Sequence, residues 1–385
     1  MKRIPKASET EGPGVSALIR MIALALVVFM LPGAIGCFGN ASERELFAMD
    51  TFMQLKAYGA GAQNALDEAC ALIEELDGLF SVTNEKSEVY AIDHAKGGST
   101  AVSPETFELI SRALDFSAQT GDCFEITLRP VSEAWGFTGG TERIPGAEEL
   151  SALLELVGDE KVTLDASSRT ITLENGAAID LGALAKGYAA DSAAECLKAA
   201  GVKAALLNLG SSTILAFGQK PEGGRWRIAV HDPAGAYENA GLIELFEGAV
   251  STSGGYERYF TGDDGQIYWH ILDPRTGMPA RNGIASVSVI TDEAFIGDGL
   301  STALFVMGEE AAAEYWRAVG GFEFIMLMED GSIVLTSGAS ELFTPGGSYK
   351  DAEIRIIRDR DTAVCSPIRF RTDPAELGVF CTVPR

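Results

Sequence analysis

A stretch of ten residues, 179–188 with the sequence IDLGALAKGY, limits the local structure more than any other part of the chain. An apolar run at 170–173 precedes this stretch, and a second one at 177–181 overlaps its start. Asn175-Gly176 between the two runs is a strong hairpin-turn signal. Downstream, apolar residues follow helical spacing up to Gly201, which is well placed to end a helix. The sequence therefore predicts a strand that leads into a glycine turn, and a turn that leads into a helix.

The same stretch carries groups that suit an anion. Backbone N–H groups at the start of a helix lack partners and attract negative charge. The ammonium group of Lys186 adds a positive charge, as a phosphate-binding lysine does. A glycine turn that only packs a helix against a sheet explains the pattern equally well. On this segment alone, both interpretations stay open.

The rest of the pattern mixes helices with hairpins. This mixture favours an α+β fold, with mixed or antiparallel sheets and packed helices, over a regular βαβ series. Helices are predicted at 63–80, from Ser103 onward, and at 148–156, 298–307 and 310–319. Strands are predicted at 47–56, 204–209, 214–217, 227–230, 242–246 and 286–290, followed by a hairpin at 324–328 and 333–336 and a strand at 354–357.

Charge and motif content narrow the classes of function. The 385-residue chain has a formal net charge of −25 at pH 7. Because a protein that binds nucleic acid needs a basic surface, nucleic acid is not an expected partner of this acidic chain. The sequence contains no Walker-type phosphate loop, no HExxH motif and no CxxC pair. It therefore gives no support for the activities that depend on these motifs.

Residues 1–36 have the features of a targeting segment. Basic residues precede an apolar run at 21–31, which is shorter than the roughly 20 residues of a membrane span. Small residues precede Cys37 and resemble a bacterial lipoprotein cleavage site, with Cys37 as the acylated first residue of the mature chain. An uncleaved anchor and an ordinary signal peptide remain alternatives. All three place the protein outside the cytoplasm, and the first anchors it to a bacterial membrane.

The chain therefore divides into four parts. A lipoprotein signal peptide at 1–36 precedes a short polar tether at 37–45, a main domain at 46–343 and a C-terminal extension of unknown role at 344–385. Beyond Cys37, five cysteines remain, and an odd number cannot all pair. Cys365 and Cys381 are candidates for a disulfide in an oxidising compartment.

Three further blocks resemble one known family. They are AVSTSGGYERYF at 249–260, HILDPRTG at 270–277 and DGLSTALF at 298–305. Together with 179–188 they resemble the signature blocks of the FAD:protein FMN transferases, the ApbE-type flavin transferases. The resemblance runs from about Met49 to about Phe343. It implies that 46–343 is a single catalytic domain with an ApbE-like fold related to the T-fold.

A candidate metal site follows from Asp298 and Thr302. They lie four residues apart on a predicted helix, so both side chains point the same way. A carboxylate and a hydroxyl are hard oxygen ligands that suit Mg²⁺, and the resemblance implies a third ligand, the backbone carbonyl of Ala183. In the alternative interpretation, Asp298 caps its helix and Thr302 bonds back to a carbonyl of the preceding turn.

The resemblance also implies a set of contacts with FAD, which is the substrate in this family. Leu272 is expected to use its backbone, and Glu125 replaces the usual aspartate with a side chain longer by one methylene. Thr83 stands where many relatives have an aromatic ring, and Gly255 where an acidic residue is common. The implied FAD-binding residues are Met49, Cys123, Phe124, Glu125, Asp180, Lys186 and Leu272.

Two basic side chains complete the predicted site. His270 precedes a tight turn that holds Arg275, and the resemblance favours a role for His270 beside the phosphates, as a donor or as a general base. Arg258 is a candidate for the pyrophosphate, although a solvated surface arginine explains it equally well. Because FAD is an anion and the chain is acidic, the site must concentrate positive charge locally.

The implied reaction is Mg²⁺-dependent. A Ser or Thr hydroxyl of a partner protein attacks the FMN phosphorus of FAD, AMP leaves, and FMN stays on the partner as a phosphoester. Asp298 and His270 are the expected catalytic residues, and extracytoplasmic electron-transfer proteins are the implied acceptors. Two alternatives remain: an FAD pyrophosphatase in which water replaces the hydroxyl, and a lipoprotein that binds or stores FAD without catalysis.

Overall fold

The computed structural model describes residues 41–138 and 140–359, and a nine-stranded sheet forms its centre. The strand order is β1-β2-β6-β7-β10-β13-β14-β15-β17. All neighbours are antiparallel except β15 and β17, which pair in parallel. The nine strands are β1 (Ala41–Ala48), β2 (Thr51–Tyr58), β6 (Ala204–Leu209), β7 (Thr213–Phe217), β10 (Gly248–Gly254), β13 (Ile284–Thr291), β14 (Glu323–Met328), β15 (Ile333–Thr336) and β17 (Ile354–Ile357).

Helices cover one face of this sheet, and a small sheet covers the other. The period of two along β14 demonstrates the arrangement: Phe324 and Met326 belong to the core on the helical side, while Ile325 and Leu327 belong to the second core. Burial on both faces explains the continuous apolar run of this strand. The three-stranded sheet opposite the helices contains β16 (Phe343–Pro345), β9 (Asn239–Leu245) and β8 (Trp226–His231).

Eight α-helices lie in the described part of the chain. The longest is α7 (Ala294–Val319), which packs with α6 (Ala185–Ala199) and α1 (Ala62–Phe80) against the sheet. The others are α2 (Glu88–Asp93), α3 (Pro104–Thr120), α4 (Arg129–Trp135), α5 (Ala147–Leu154) and α8 (Ala339–Leu342). Two small sheets contain β3 (Ser99–Ala101), β5 (Thr170–Leu173) and β4 (Val162–Asp165), and β11 (Tyr259–Thr261) and β12 (Ile267–Trp269). No helix among the described residues is long and apolar enough to cross a membrane.

The predicted α+β class is confirmed, but the predicted hairpin over 170–181 is wrong. Residues 170–173 form β5, which pairs with β3 and β4 rather than with the run at 177–181. The second run finds other partners, because Ile179 N–H donates to Asp93 Oδ1 and Asp180 N–H donates to the carbonyl of Ile126. A buried carboxylate thus replaces a strand neighbour, which the hydropathy pattern does not encode.

The predicted strand at 47–56 is in fact two strands. β1 and β2 are joined by Met49 and Asp50, whose φ angles of 50° and 58° are those of a left-handed two-residue hairpin turn. Met-Asp lacks the Asn-Gly signal, which explains why the sequence did not predict this turn. Residues 41–45, assigned above to the tether, lie in β1.

The last predicted elements agree closely with the structure. The two helices expected at 298–307 and 310–319 are one element that begins earlier, at Ala294, and is interrupted at Gly308. The final hairpin and the strand at 354–357 are confirmed as β14, β15 and β17. The signal peptide, Cys37, Cys365 and Cys381 lie outside the described residues.

Candidate functional site

The site lies at one end of the large sheet, where helices α6 and α7 cross. β6 ends and β7 begins at this end, since Leu209 pairs with Thr213. β10 ends beside them, with its Ser251 opposite Thr213. The β1–β2 turn with Met49 lies at the same end, because Met53 pairs with Leu209. Residues far apart in sequence therefore meet at this end of the sheet.

Asp298 is the central carboxylate of this site. It is 6 % exposed, Oδ1 accepts a hydrogen bond from Thr213 Oγ1 at 3.0 Å, and Oδ2 accepts one from the backbone N–H of Gly187 at 2.9 Å. Because α7 begins at Ala294, Asp298 lies in the second turn and does not cap its helix. Burial raises the pKa of Asp298, and the positive charge of Lys186 partly opposes this effect.

The carbonyl of Ala183 lies just before α6. Because α6 begins at Ala185, Ala183 is outside the regular helical hydrogen-bonding pattern. The N–H of Gly187, four residues later, donates to Asp298. Ala183 and the carboxylate of Asp298 thus both lie next to the first turn of α6.

Three hydroxyl groups form a cluster next to the backbone of Asp298. Ser253 Oγ on β10 lies 2.8 Å from Ser301 Oγ and 3.1 Å from Thr302 Oγ1. The bond back to the preceding turn comes from Ser301, whose Oγ donates to the carbonyl of Asp298 at 2.8 Å, and not from Thr302. Sequence reasoning missed Thr213 and Ser253. Thr213 is the one hydroxyl residue of an otherwise apolar strand, which is its only sequence signal, whereas Ser253 is one of three consecutive hydroxyl residues in β10 and has no distinguishing signal.

This donor set fits Mg²⁺. A carboxylate, hydroxyls and a backbone carbonyl are the hard oxygen ligands that this ion prefers. Within residues 41–138 and 140–359, no three His, Cys, Asp or Glu residues are grouped so that they could hold a metal ion. A single protein carboxylate suits an ion that shares its coordination with substrate phosphates. Thr302, Asp298 and the carbonyl of Ala183 are the residues that would hold it.

Lys186 lies near enough to two other site residues for its charge to affect them. The charge of Lys186 acts on both Asp298 and His270. The backbone N–H of His270 donates to the carbonyl of Arg258 at 3.0 Å, and Nδ1 lies 3.2 Å from the same oxygen. Because a carbonyl only accepts, Nδ1 carries the proton and Nε2 is left as the acceptor.

The imidazole of His270 is held in its neutral form. Burial lowers its pKa to about 4, and the positive charges of Arg258 and Lys186 act in the same direction. A neutral imidazole with a free Nε2 accepts a proton from a hydroxyl group. Arg258 itself is exposed, and its carbonyl rather than its guanidinium orients His270.

Asp180 and Glu125 lie on neighbouring segments. Asp180 Oδ1 accepts from the N–H of Gly182 at 2.8 Å, which shapes the turn before Ala183. Glu125 Oε1 accepts from the N–H of Thr127 at 2.9 Å. Burial raises the pKa of Glu125 to about 7, and the nearby charge of Asp159 contributes. Both carboxylates therefore organise backbone turns beside the site.

Three of the implied FAD-binding residues have buried side chains. Cys123 and Phe124 are 6 % and 3 % exposed, and the ring of Phe124 packs edge-on against Phe116 with centroids 5.0 Å apart. Leu272 is 4 % exposed within an apolar cluster around Trp135. The structure gives these side chains packing roles, and a polar contact with a ligand would come from their backbone.

One departure from the family pattern, Gly255, has a local explanation. A Cβ atom at Gly255 would lie 3.0 Å from the ring of Trp269, so a longer acidic side chain needs a different indole position. Thr83 is exposed and offers no ring for stacking. Arg275 is paired with Asp273 through two hydrogen bonds of 2.8 Å, so its charge is already engaged within its turn.

The site geometry and the sequence blocks described above agree with the family to which this chain is similar. The sequence model of the ApbE family matches residues 49–326. This chain belongs to the ApbE family. Among curated ApbE relatives, an FAD:protein FMN transferase of Klebsiella pneumoniae is 35% identical over 289 residues, which covers 72% of this chain and 88% of that protein. A second, from Treponema pallidum, is 29% identical over 339 residues, which covers 82% and 93%.

Solved ApbE structures share the fold. The crystal structure of the ApbE protein from Thermotoga maritima superposes with a TM-score of 0.72 at 32% identity and covers 79% of this chain and 99% of that one. The apo form of the flavinyl transferase ApbE from Pseudomonas stutzeri gives 0.71 at 29% identity, with coverages of 80% and 98%. The ApbE-like fold implied by the sequence blocks is thereby confirmed.

Proposed function

We propose that this protein is an FAD:protein FMN transferase. It moves the FMN moiety of FAD to a Ser or Thr hydroxyl of a partner protein and releases AMP. The observation that carries the proposal is the buried carboxylate of Asp298 on α7, which is hydrogen-bonded to Gly187 of α6 and Thr213 of β7 and is close enough to Lys186 to be affected by its charge. The curated relatives named for this activity support the same reaction.

The chain's own groups account for the proton and the charge. Nε2 of His270 takes the proton of the acceptor hydroxyl, and the hydroxyl oxygen forms a bond to the FMN phosphorus. The bond from that phosphorus to the bridging pyrophosphate oxygen breaks, and the bridging oxygen leaves with AMP. The ammonium of Lys186, whose charge acts on Asp298, is expected to offset phosphate charge. When bound, Mg²⁺ would supply further neutralisation of the pyrophosphate.

We propose that Lys186 is the main phosphate-binding group at the start of α6. Unpaired amides at a helix start attract anions, but the N–H of Ala185 donates to the carbonyl of Leu181 and the N–H of Gly187 donates to Asp298. The ammonium of Lys186 is therefore expected to supply most of the attraction for FAD on this segment.

We further propose that the protein is an extracytoplasmic lipoprotein, anchored to a bacterial membrane through lipidated Cys37. The small residues before Cys37 support this localisation. In sequence, three residues, 38–40, lie between Cys37 and Ala41, the first residue of β1. Metabolic labelling with a fatty acid is expected to mark the wild-type protein and not Cys37→Ser. Equal labelling of both proteins would contradict the lipoprotein assignment.

The products of one incubation test the proposed reaction. FAD, Mg²⁺ and a Ser- or Thr-bearing acceptor are incubated with the protein, the acceptor is analysed by intact mass, and the nucleotides are separated by chromatography. Transfer predicts an acceptor heavier by one FMN residue and an equal amount of AMP. AMP with free FMN and an unmodified acceptor would indicate hydrolysis instead. FAD that stays bound and intact would indicate storage.

A further inference from the structure

Asp191 lies on α6, one turn after Gly187, and its carboxylate binds the start of α7. Oδ1 accepts from the N–H of Ala294 at 2.9 Å, and Oδ2 accepts from the N–H of Phe295 at 2.8 Å. These are the first two residues of α7, whose N–H groups have no partner within the helix. Asp191 therefore caps a helix other than its own.

This cap is one half of a reciprocal arrangement. One turn into α7, Asp298 accepts a hydrogen bond from the N–H of Gly187 near the start of α6. Each helix thus supplies a carboxylate to the first turn of the other. Because the two connections lie at different positions along the helix axes, they fix both the distance between the helices and the translation of α7 along α6.

The helices touch closely between these two connections. A Cβ atom at Gly187 would lie 2.5 Å from the carbonyl oxygen of Ala294 and 2.7 Å from Cα of Phe295. With backbone against backbone, no flexible side chain absorbs a displacement of α7. A shift at its first turn is passed to Asp298, which lies four residues later.

A third helix supports the same junction. Arg112 on α3 pairs with Glu293 at 2.8 Å, and its guanidinium lies 4.0 Å from the centre of the Phe295 ring. Burial raises the pKa of Asp191 to about 6, and Glu293 and Arg112 are the neighbouring charges with opposite effects on it. Asp191 has no described contact with the Asp298 carboxylate, so any influence on the metal site passes through α7.

We infer that Asp191 is a positioning residue of the transfer reaction, because its two bonds to α7 set where Asp298 and Thr302 stand relative to the carbonyl of Ala183. The inference rests on the proposed function, since it assumes that these oxygens bind Mg²⁺. A residue that orients metal ligands without touching the metal typically contributes about 10-fold to 100-fold in metal affinity.

The test measures Mg²⁺ binding separately from transfer. The melting temperature of the full chain with FAD bound is followed as Mg²⁺ is added, because a ligand of the native state raises it. Asp191→Ala removes both acceptors, and Asp191→Asn keeps one. We expect the Mg²⁺ concentration at half-effect to rise about tenfold in Asp191→Ala and less in Asp191→Asn, each with a matching rise in the Mg²⁺ requirement for transfer.

A matched control separates positioning from stability. Glu323 caps α8 in the same way, with Oε2 accepting from the N–H groups of Gly338 and Ala339 at 3.1 and 3.2 Å. Glu323→Ala, which removes its acceptor as Asp191→Ala does, is expected to lower the melting temperature in the absence of Mg²⁺ and to leave the Mg²⁺ concentration at half-effect unchanged. If Asp191→Ala behaves in the same way as this control, Asp191 is only a structural cap and the inference is overturned.

Failure of the inference is distinguishable from failure of the proposed function. Wild-type protein that shows no Mg²⁺-dependent rise overturns the metal site, and with it the inference. A wild-type rise that Asp191→Ala and Asp191→Asn reproduce at the same Mg²⁺ concentration overturns the inference alone. If Asp191→Ala does not fold, Asp191→Asn decides between these outcomes.

Discussion

His270 is the residue whose protonation state governs the proposed proton transfer. Burial and two neighbouring positive charges lower its pKa to about 4, so the neutral form persists in the free protein well below the usual value of about 6.5. We expect the ring signals of His270 in an NMR titration to move only below pH 5. With three histidines in the chain, the His270→Gln spectrum assigns them. A midpoint near 6.5 would contradict this environment.

Loss of the His270 imidazole is expected to slow transfer far more than it weakens FAD binding. General-base catalysis contributes about 10²-fold to 10⁴-fold, so His270→Gln should lower the single-turnover rate by that order, with FAD affinity little changed. His94→Gln is the control, because His94 stacks on Tyr90 with centroids 3.8 Å apart and bonds to the carbonyl of Tyr90. A His270→Gln rate equal to that of His94→Gln would remove His270 from the mechanism.

Glu125 is expected to make the fold less stable as the pH rises. Its pKa of about 7 in the native state lies above the value of about 4.3 in an unfolded chain. The native state therefore binds more protons, and the free energy of unfolding decreases between about pH 4 and pH 7. Glu125→Gln keeps an acceptor for the N–H of Thr127 and removes this decrease.

Denaturant unfolding at two pH values measures the effect. Compared with wild type, Glu125→Gln should gain about 1–2 kcal/mol in the free energy of unfolding between pH 5 and pH 8. Glu310→Gln, an exposed carboxylate on α7, should follow the wild-type pH profile. A Glu125→Gln profile parallel to that of Glu310→Gln would mean that Glu125 is ionised at no cost to stability.

At the scale of elements, the contact between α6 and α7 determines the site. Gly187→Ala places a methyl group 2.5 Å from the carbonyl oxygen of Ala294, so the helices must separate. We expect a loss of about 3 kcal/mol in the free energy of unfolding, with reduced transfer at limiting Mg²⁺. Gly78→Ala on α1 is the control, because its Cβ meets nothing within 4 Å, and it should be neutral or stabilising by about 0.5–1 kcal/mol.

Gly187→Ala with wild-type stability would contradict the close approach of the two helices. Gly187→Ala that is destabilised but has an unchanged Mg²⁺ requirement would contradict the link between helix spacing and the site. Urea unfolding and a Mg²⁺ titration of transfer separate these two outcomes.

Sequence periodicity predicted most elements, because their partners are apolar neighbours that follow a regular spacing. β14 and β15 were predicted from an apolar pair around Asp330-Gly331, and the two parts of α7 from residues repeating at helical spacing. The hairpin at 170–181 was mispredicted because Asp93, more than 80 residues away in sequence, takes the N–H of Ile179. Long-range bonds from side chains to the backbone leave no local signal.

The sequence predicted those site residues that stand in short motifs. Asp298, Thr302, Lys186 and His270 stand in recognisable blocks, and in the structure the charge of Lys186 acts on both Asp298 and His270. Thr213 and Ser253 stand on strands whose neighbours are known only from the fold. The burial of Phe124 likewise depends on Phe116 of another element.

For the molecule as a whole, the strand order keeps the edge strand β17, which we expect to matter for stability, apart from the strands that carry the candidate site. β17 lies at the edge of the sheet, with β15, β14 and β13 between it and β10. Ile357 on β17 is 9 % exposed and belongs to the main core, whereas Ile354 on the same strand is 45 % exposed. Changes in β17 should therefore affect folding and not the reaction.

Paired substitutions test this separation. Ile357→Ala is expected to lower the free energy of unfolding by about 2 kcal/mol, while Ile354→Ala should change it by less than about 0.5 kcal/mol. Both variants should keep the wild-type single-turnover rate of transfer at a temperature where they are folded. A reduced rate in folded Ile357→Ala would indicate that this edge communicates with the site.

The most direct test of the central claim is Mg²⁺-dependent labelling of an acceptor by the Asp298 variant. Wild type, Asp298→Ala and the control Glu310→Gln are incubated with FAD and a Ser- or Thr-bearing acceptor across a range of Mg²⁺ concentrations. The acceptor is then read by in-gel flavin fluorescence. The account predicts a fluorescent band that needs Mg²⁺ with wild type and Glu310→Gln and is absent with Asp298→Ala. Full labelling by Asp298→Ala at limiting Mg²⁺ would contradict it.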